Sequence, residues 1–236
     1  MNMLVYCLAM LCLFCGLGSG STFAQSNQVI DLGNRRELFI DEHLVAEMEN
    51  VQLLVHQPTR EEIAVNCDKP WEGNGCGYFT VLHDPQAALY RMYYHAWQIP
   101  TGIESGGPLT IAYFESKDGI KWERPSLGLC EFNGSTDNNI ILDKLGDGGR
   151  CHDFSPFIDA NPAAKPEARY KATGAGFDNH KGIWVYQSSD GVHWAPMAPG
   201  VVFDKGAFDT QNISFWSSTE QKYVLYYRTF SGGGYS

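Results

Sequence analysis

The chain has 236 residues, with 17 Lys+Arg against 27 Asp+Glu and a formal net charge of −10 at pH 7. That balance excludes a general nucleic-acid binder, which needs a basic footprint, and 44% hydrophobic with 19% charged residues fits a folded globular protein rather than a disordered one. An aromatic share of 13% with 25 glycines predicts short strands and tight turns, against a coiled coil, a collagen or a multi-span membrane protein.

Residues 1–24 contain no Lys, Arg, Asp or Glu, and the apolar run Met3–Leu17 decays into small residues ending at Thr22-Phe23-Ala24. Thr22 and Ala24 fit a signal-peptidase site before Gln25, although the basic residues that usually open such a leader are missing. The run of about 15 residues is short of the roughly 20 needed to span a bilayer. The expectation is a cleaved leader, residues 1–24, and a mature protein exported to the periplasm or beyond the cell, with no membrane partner. Cys7, Cys12 and Cys15 leave with the leader, while Cys67, Cys76, Cys130 and Cys151 remain. Four cysteines allow three pairings, and sequence does not choose among them. They read as buried thiols or as one or two structural disulfides; no CxxC or histidine spacing marks a zinc site.

Further along, Val29–Ile40 leads into an alternation at Val51, Leu53 and Val55 that reads as a strand, with a short helical turn around Leu44–Met48. Then comes repetition. Ser116-Lys117-Asp118-Gly119-Ile120-Lys121-Trp122 recurs 72 residues later as Ser188-Ser189-Asp190-Gly191-Val192-His193-Trp194. Each copy follows an apolar run, Leu109–Glu115 or Gly182–Gln187, and Asp-Gly after such a run is a hairpin signal. The Trp four positions after each Asp is expected to pack on the neighbouring strand.

Upstream of each hairpin lies an aromatic strand: Tyr90–Tyr94, Tyr170–Ala172 and, a third time, Tyr223–Arg228. Before each of these comes another short strand and a polar turn, at Tyr78–Leu82, Phe154–Ile158 and Ile213–Trp216. The unit is therefore four antiparallel strands, which is how an all-β propeller blade reads in sequence; a β-sandwich would not repeat the same turn and Trp. Beyond the leader 212 residues remain (236 − 24), just under three units of 72, whereas a ring closes with about four to eight blades. The expectation is an incomplete ring of about three blades, the N-terminal part of a longer protein. In this division residues 25–236 form one partial propeller domain, with a leading segment 25–70, blades at about 71–126 and 127–198, and a truncated third at 199–236.

The series "RELFIDEHLV", "PWE", "YRMYY", "AYFESKDGIKWERPSLG", "NGSTDNNIIL", "FSPFIDANP", "ARYKA" and "DTQNISFWS…KYVLYYR" resembles exported bacterial proteins of the planctomycete type. Those are described as similar to glycoside hydrolase families 43 and 32. The resemblance runs over nearly all of residues 29–230 and implies the five-bladed β-propeller of that superfamily, with a central funnel lined by a base or nucleophile, a stabilising Asp and a Glu general acid. Such chemistry needs one protonated and one ionised carboxyl group, and crowding in a partly dry funnel separates their pKa values.

On that resemblance Asp153, just before Phe154-Ser155-Pro156-Phe157-Ile158-Asp159, takes the stabilising role, although Pro156 stands three residues after it rather than next to it. A turn-capping Asp is the plain alternative. Asp209 stands where the family has its Glu acid, a departure that shortens the reach by one methylene. In the first blade, aligned on the Pro85 and Pro162 turns, Gly77 matches Asp153, so no acid falls in register. Glu72 is then the candidate base, beside Trp71, which could stack on a sugar ring. Trp97, Gln211 and Asn212 complete the expected sugar contacts, and Trp122, Trp184 and Trp194 read as sheet packing.

His95 and His152 could line the funnel or be ordinary structural histidines. No metal or other cofactor is expected, and Gly146-Asp147-Gly148-Gly149 reads as a solvated turn rather than a Ca²⁺ loop. No Gly-x-Ser-x-Gly elbow supports serine hydrolysis. The expected function is a carbohydrate-active glycoside hydrolase-like protein acting on an oligo- or polysaccharide. The alternative is a carbohydrate-binding propeller without catalysis.

Overall fold

A computed structural model describes residues 30–34, 36–99, 109–143, 151–176, 181–231 and 234–235. The expected leader and the Gly146–Gly149 loop lie outside them. By its contacts the chain divides after Arg60. In the first unit the described residues form bends and turns, with no strand or helix. The expected strand at Val51, Leu53 and Val55 does not form: these side chains are 68%, 44% and 87% exposed, so the alternation buries no face. The helical turn expected at Leu44–Met48 is absent too, and the local structure is one turn closed by Val45 N–H on Glu42 O at 3.0 Å.

The second unit is antiparallel β. Strands β1 (Gly75–Asp84), β2 (Leu89–Trp97), β3 (Leu109–Ser116) and β4 (Ile140–Leu142) make one sheet in that order. A second sheet repeats the order with β5 (His152–Ile158), β6 (Tyr170–Gly176), β7 (Gly182–Ser188) and β8 (Ala195–Pro196). β9 (Ile213–Ser217) and β10 (Lys222–Tyr226) form a hairpin, and Phe230–Ser231 pairs with Gly234–Tyr235. Two single-turn 3-10 segments, Pro70–Glu72 and Pro166–Ala168, are the helical content among the described residues. The first strands lie in succession, β1 beside β5 and β5 beside β9.

Each strand expected from the repeat forms, with one difference in the fourth. In the second sheet β8 follows the Asp-Gly turn directly. In the first, the chain after the turn makes only a bridge, Glu123 to Glu115, and the fourth strand is Ile140–Leu142, paired to Ile111 and Ala112. The chain after the bridge meets Pro125, and the run Ile140-Ile141-Leu142 offers what Trp122–Pro125 lacks, three buried apolar side chains in sequence.

The two Asp-Gly turns are built alike. Ser116 Oγ donates to Asp118 Oδ1 at 3.0 Å and accepts Gly119 N–H at 2.9 Å, while Asp118 Oδ1 caps Ile120 and Lys121 N–H at 2.9 and 2.8 Å. Ser188 and Asp190 repeat this at 3.0 and 2.8 Å, with Val192 and His193 N–H both at 2.8 Å. The glycines take φ +77° and +79°, the left-handed region that side chains disfavour. Trp194 then donates its indole N–H to Gly191 O at 3.1 Å and packs edge-on against Phe154, and Trp122 packs against the cluster of Met92, Tyr94, Ala96, Ala112 and Phe114.

Alternation along β2 determines how the sheets meet. Met92, Tyr94 and Ala96 face one core cluster, while Tyr93 belongs to another shared with Phe154, Trp184 and Tyr186 of the second sheet. Arg91, Tyr93 and His95 lie on the same face as one another. All three carry a polar contact there. Arg91 Nε is 3.5 Å from Asp84 Oδ2, and its guanidinium lies 5.5 Å from the Tyr170 ring centre. Tyr93 donates its hydroxyl to Gly191 O at 2.9 Å, and His95 approaches Asp153.

A second tie repeats between sheets. Asp84, at the end of β1, accepts from Arg169 and from the Tyr170 hydroxyl of the second sheet. Asp159, one residue past β5, accepts from Tyr223 at 2.7 Å and from Lys171. Tyr170 and Tyr223, near the starts of the second and third aromatic strands, thus each reach back to the Asp at or just past the end of the first strand of the preceding sheet.

The four remaining cysteines are free thiols. Cys67 and Cys76 share a hydrogen bond, and burial pushes the Cys130 and Cys151 thiols up to about 11 and about 12.

Gly191→Ala is expected to destabilise more than Gly119→Ala in chemical denaturation. Both incur the left-handed penalty of roughly 1–2 kcal/mol. Only at Gly191 would the new Cβ also meet the Tyr93 hydroxyl, at 2.8 Å; at Gly119 the nearest atoms are at 3.5 Å. Acid is expected to weaken the tie at Asp84. Arg169 foremost, then Tyr170 and Ala87 N–H, hold its carboxyl well below the ordinary range against the cost of burial. A carboxyl lowered in the folded state contributes stability that is complete above its unfolded value, about 3.9, and is lost as the pH falls below it. Melting curves of Asp84→Asn should lose that part of the pH dependence.

Candidate functional site

Two β-bulges create the site. β1 shifts register between Gly77 and Thr80, and β5 between His152 and Ser155. At each shift a residue with a side chain sits in the left-handed region, Tyr78 at φ 51° and Asp153 at φ 54°. Holding a non-glycine residue there costs of order 1–3 kcal/mol and is often seen at functional positions. Tyr78 is six residues before Asp84, as Asp153 is before Asp159. Tyr78, not Gly77, is therefore the counterpart of Asp153. The prolines mislead the alignment because Pro85 follows Asp84 directly, whereas Pro162 stands three residues after Asp159.

Asp153 is fully buried. Its Oδ2 lies 2.6 Å from His152 Nδ1, and its Oδ1 lies 3.6 Å from Nδ1 of His95 on the neighbouring sheet. Burial alone would raise the carboxyl, but His152 and His95 outweigh it and hold Asp153 below its ordinary value. Burial pushes the His95 imidazole the other way, below its ordinary value, against the pull of Asp153.

The rings around this carboxylate form a continuous aromatic group. Tyr78 stacks on His95 and Trp97 with centroids 5.9 and 6.4 Å apart, and His95 sits edge-on to His152 at 4.8 Å. Gln211 reaches β1 from the segment before β9, donating to Thr80 Oγ1 at 2.8 Å and to Tyr78 O at 3.4 Å. Asp209, 74% exposed, lies 3.7 Å from an Arg228 nitrogen. The Tyr78 hydroxyl is raised by burial first, then by the charges of Asp153 and Asp209, with Arg228 opposing. Asp153, Asp209, Gln211 and Trp97 thus all gather around Tyr78.

Glu72 and Trp71 have other engagements. Glu72 is fully buried and accepts from Arg124 Nε at 3.2 Å and Nη2 at 3.1 Å, from the Tyr94 hydroxyl at 2.5 Å and from Lys69 N–H at 2.8 Å. Such a carboxylate is the countercharge of Arg124, unlike a base open to water. Trp71 donates its indole N–H to Asn139 at 2.7 Å, and Asn139 in turn donates to Tyr94 at 3.0 Å. Asn212 is buried and donates to Thr210 O at 2.7 Å and Phe208 O at 3.1 Å. Its amide nitrogen is used within the loop.

Tyr78 is the site residue that sequence reasoning passed over, while His95 and His152, left between funnel-lining and structural roles, are brought together by the structure. The alternation Arg91, Tyr93, His95, Trp97 carries part of the signal. The β5 bulge that brings His152-Asp153 against His95 has no glycine to announce it.

No protein-family model matches the chain, and no curated protein matches it. Among solved structures it is similar to a glycosyl hydrolase from Bacteroides ovatus, at 17% identity and a TM-score of 0.41 over 70% of this chain and 45% of that one. It is also similar to a fructofuranosidase variant from Schwanniomyces occidentalis complexed with fructosylnystose, at 15% identity and a TM-score of 0.43 over 70% of this chain and 33% of that one. The chain spans less than half the length of either.

Arg124→Met should cost about 3–5 kcal/mol in denaturant unfolding, because it strands the buried Glu72 charge. Adding Glu72→Gln should recover part of that loss.

Proposed function

We propose that the chain is part of an exported, glycoside hydrolase-like β-propeller protein that acts on a carbohydrate at the Tyr78 site. The observation that carries this reading is the grouping of a buried and an exposed carboxylate with an aromatic face and an amide, contributed by three successive β units. A sugar presents apolar ring faces that stack on aromatic rings, and hydroxyls that bond carboxylates and amides. Tyr78 and Trp97 suit the first task, and Gln211 and Asp209 the second.

In this reading the sheets are successive blades. Support comes from the adjacent first strands β1, β5 and β9 and from the recurring Asp–Tyr ties. Asp153, kept ionised, stabilises positive charge developing at the sugar, and Asp209 gives its proton to the leaving oxygen. The base role foreseen for Glu72 falls away, since Arg124 and Tyr94 occupy its oxygens. Water activation then rests on the groups around Asp153.

A second reading, carbohydrate binding without catalysis, is favoured by that same engagement of Glu72, which removes one of three carboxylates.

Calorimetric binding and reducing-sugar release, measured over a panel of plant, algal and fructan polysaccharides, separate the two. Hydrolysis predicts release that falls about 10²–10⁴-fold in Asp209→Asn while binding persists. Trp97→Ala should weaken binding itself. Binding with no release from any polysaccharide selects the second reading, and the absence of both contradicts a carbohydrate site.

A further inference from the structure

We propose that His95, His152 and Asp153 form a binding site for one divalent transition-metal ion of the zinc type. The inference is independent of the sugar reading and concerns only what these three side chains can hold.

Each residue offers one ligand atom, and the three atoms lie within 4.8 Å of one another. Tetrahedral zinc with bonds of about 2.0–2.1 Å places its donors about 3.3 Å apart, so small side-chain rotations close the set. Two imidazoles and one carboxylate suit zinc, cobalt or nickel, whereas calcium and magnesium prefer all-oxygen shells. Three protein ligands leave a coordination position open, and His152, with 19% of its side chain exposed, gives that position a route to solvent.

Burial supplies a separate indication. Both ring nitrogens of His95 and both oxygens of Asp153 are buried without an aligned hydrogen-bond partner among the described residues. Buried polar atoms are seldom left so, and a role in holding an ion is one of the few explanations. The ligands are also held by strands: His95 within β2, His152 and Asp153 at the start of β5, where the bulge directs the backbone. A site on two hydrogen-bonded sheets is fixed more firmly than one on loops.

The alternative for the same three groups is a proton-sharing cluster with no metal, and the experiment separates them. The whole chain, stripped with a chelator and dialysed, is titrated with CoCl₂ and then with ZnCl₂. The expected result is one Co²⁺ per chain, with visible absorption of a low-coordinate nitrogen–oxygen site that Zn²⁺ abolishes by displacement. His95→Gln and His152→Gln should each weaken binding at least about tenfold, while His83→Gln, paired with Tyr90 at the other end of β1 from the partner of His95, leaves it unchanged.

Near-UV circular dichroism checks the fold of each variant. His152→Gln, at the partly exposed ligand, is the decisive one should His95→Gln unfold. Zn²⁺ should raise the melting temperature of the natural chain and not that of folded His152→Gln. No stoichiometric Co²⁺ binding, binding that survives in folded His152→Gln, or a preference for Ca²⁺ over Co²⁺ would each overturn the proposal.

Discussion

One face of one strand sets the terms for the rest of the second unit. Arg91, Tyr93 and His95 alternate along β2 and all point at the second sheet, so the contact between sheets is polar at three levels within an otherwise aromatic interface. Hydrophobic packing alone is non-directional. The Tyr93 hydroxyl on Gly191 O adds direction, since its acceptor exists only while the Ser188–Asp190 turn holds its shape. The Asp84 tie fixes one end of the interface, and His95 meets Asp153 at the other. Because these contacts sit on a single strand, the spacing of the pleat determines their spacing.

The consequences reach the site. Asp153 is buried, charged and in a left-handed conformation, three unfavourable conditions for a carboxylate that the two imidazoles beside it help to offset. One of those imidazoles arrives from the neighbouring sheet, so the carboxylate's environment is complete only when the sheets are docked. The same dependence holds for Gln211, which reaches Thr80 across the first strands.

Much of this was legible in the sequence because it rests on local chemistry. The Ser-x-Asp-Gly turns, the Trp that follows and the aromatic strands repeat in the sequence and repeat in the structure, down to matching hydrogen bonds. Asp153, Asp209 and Gln211 are singled out in the sequence by their place in the repeat and Trp97 as a ring that could stack on a sugar. What escaped has physical reasons. β4 is set by burial of Ile140–Leu142 against β3 and not by the nearest turn. Val51, Leu53 and Val55 alternate without any face to bury. Glu72 next to Trp71 looks like a sugar site until Arg124, 52 residues away in sequence, closes on it. Tyr78 was passed over because turns of unequal length misaligned the proline landmarks.

Specific polar ties, and not apolar contact alone, join the sheets. A double-mutant cycle of Asp84→Asn and Arg169→Met, read by denaturant unfolding, measures one such tie. The expected coupling energy is at least about 1 kcal/mol, since both singles break the same pair. Losses that simply add, within about 0.5 kcal/mol, would contradict it.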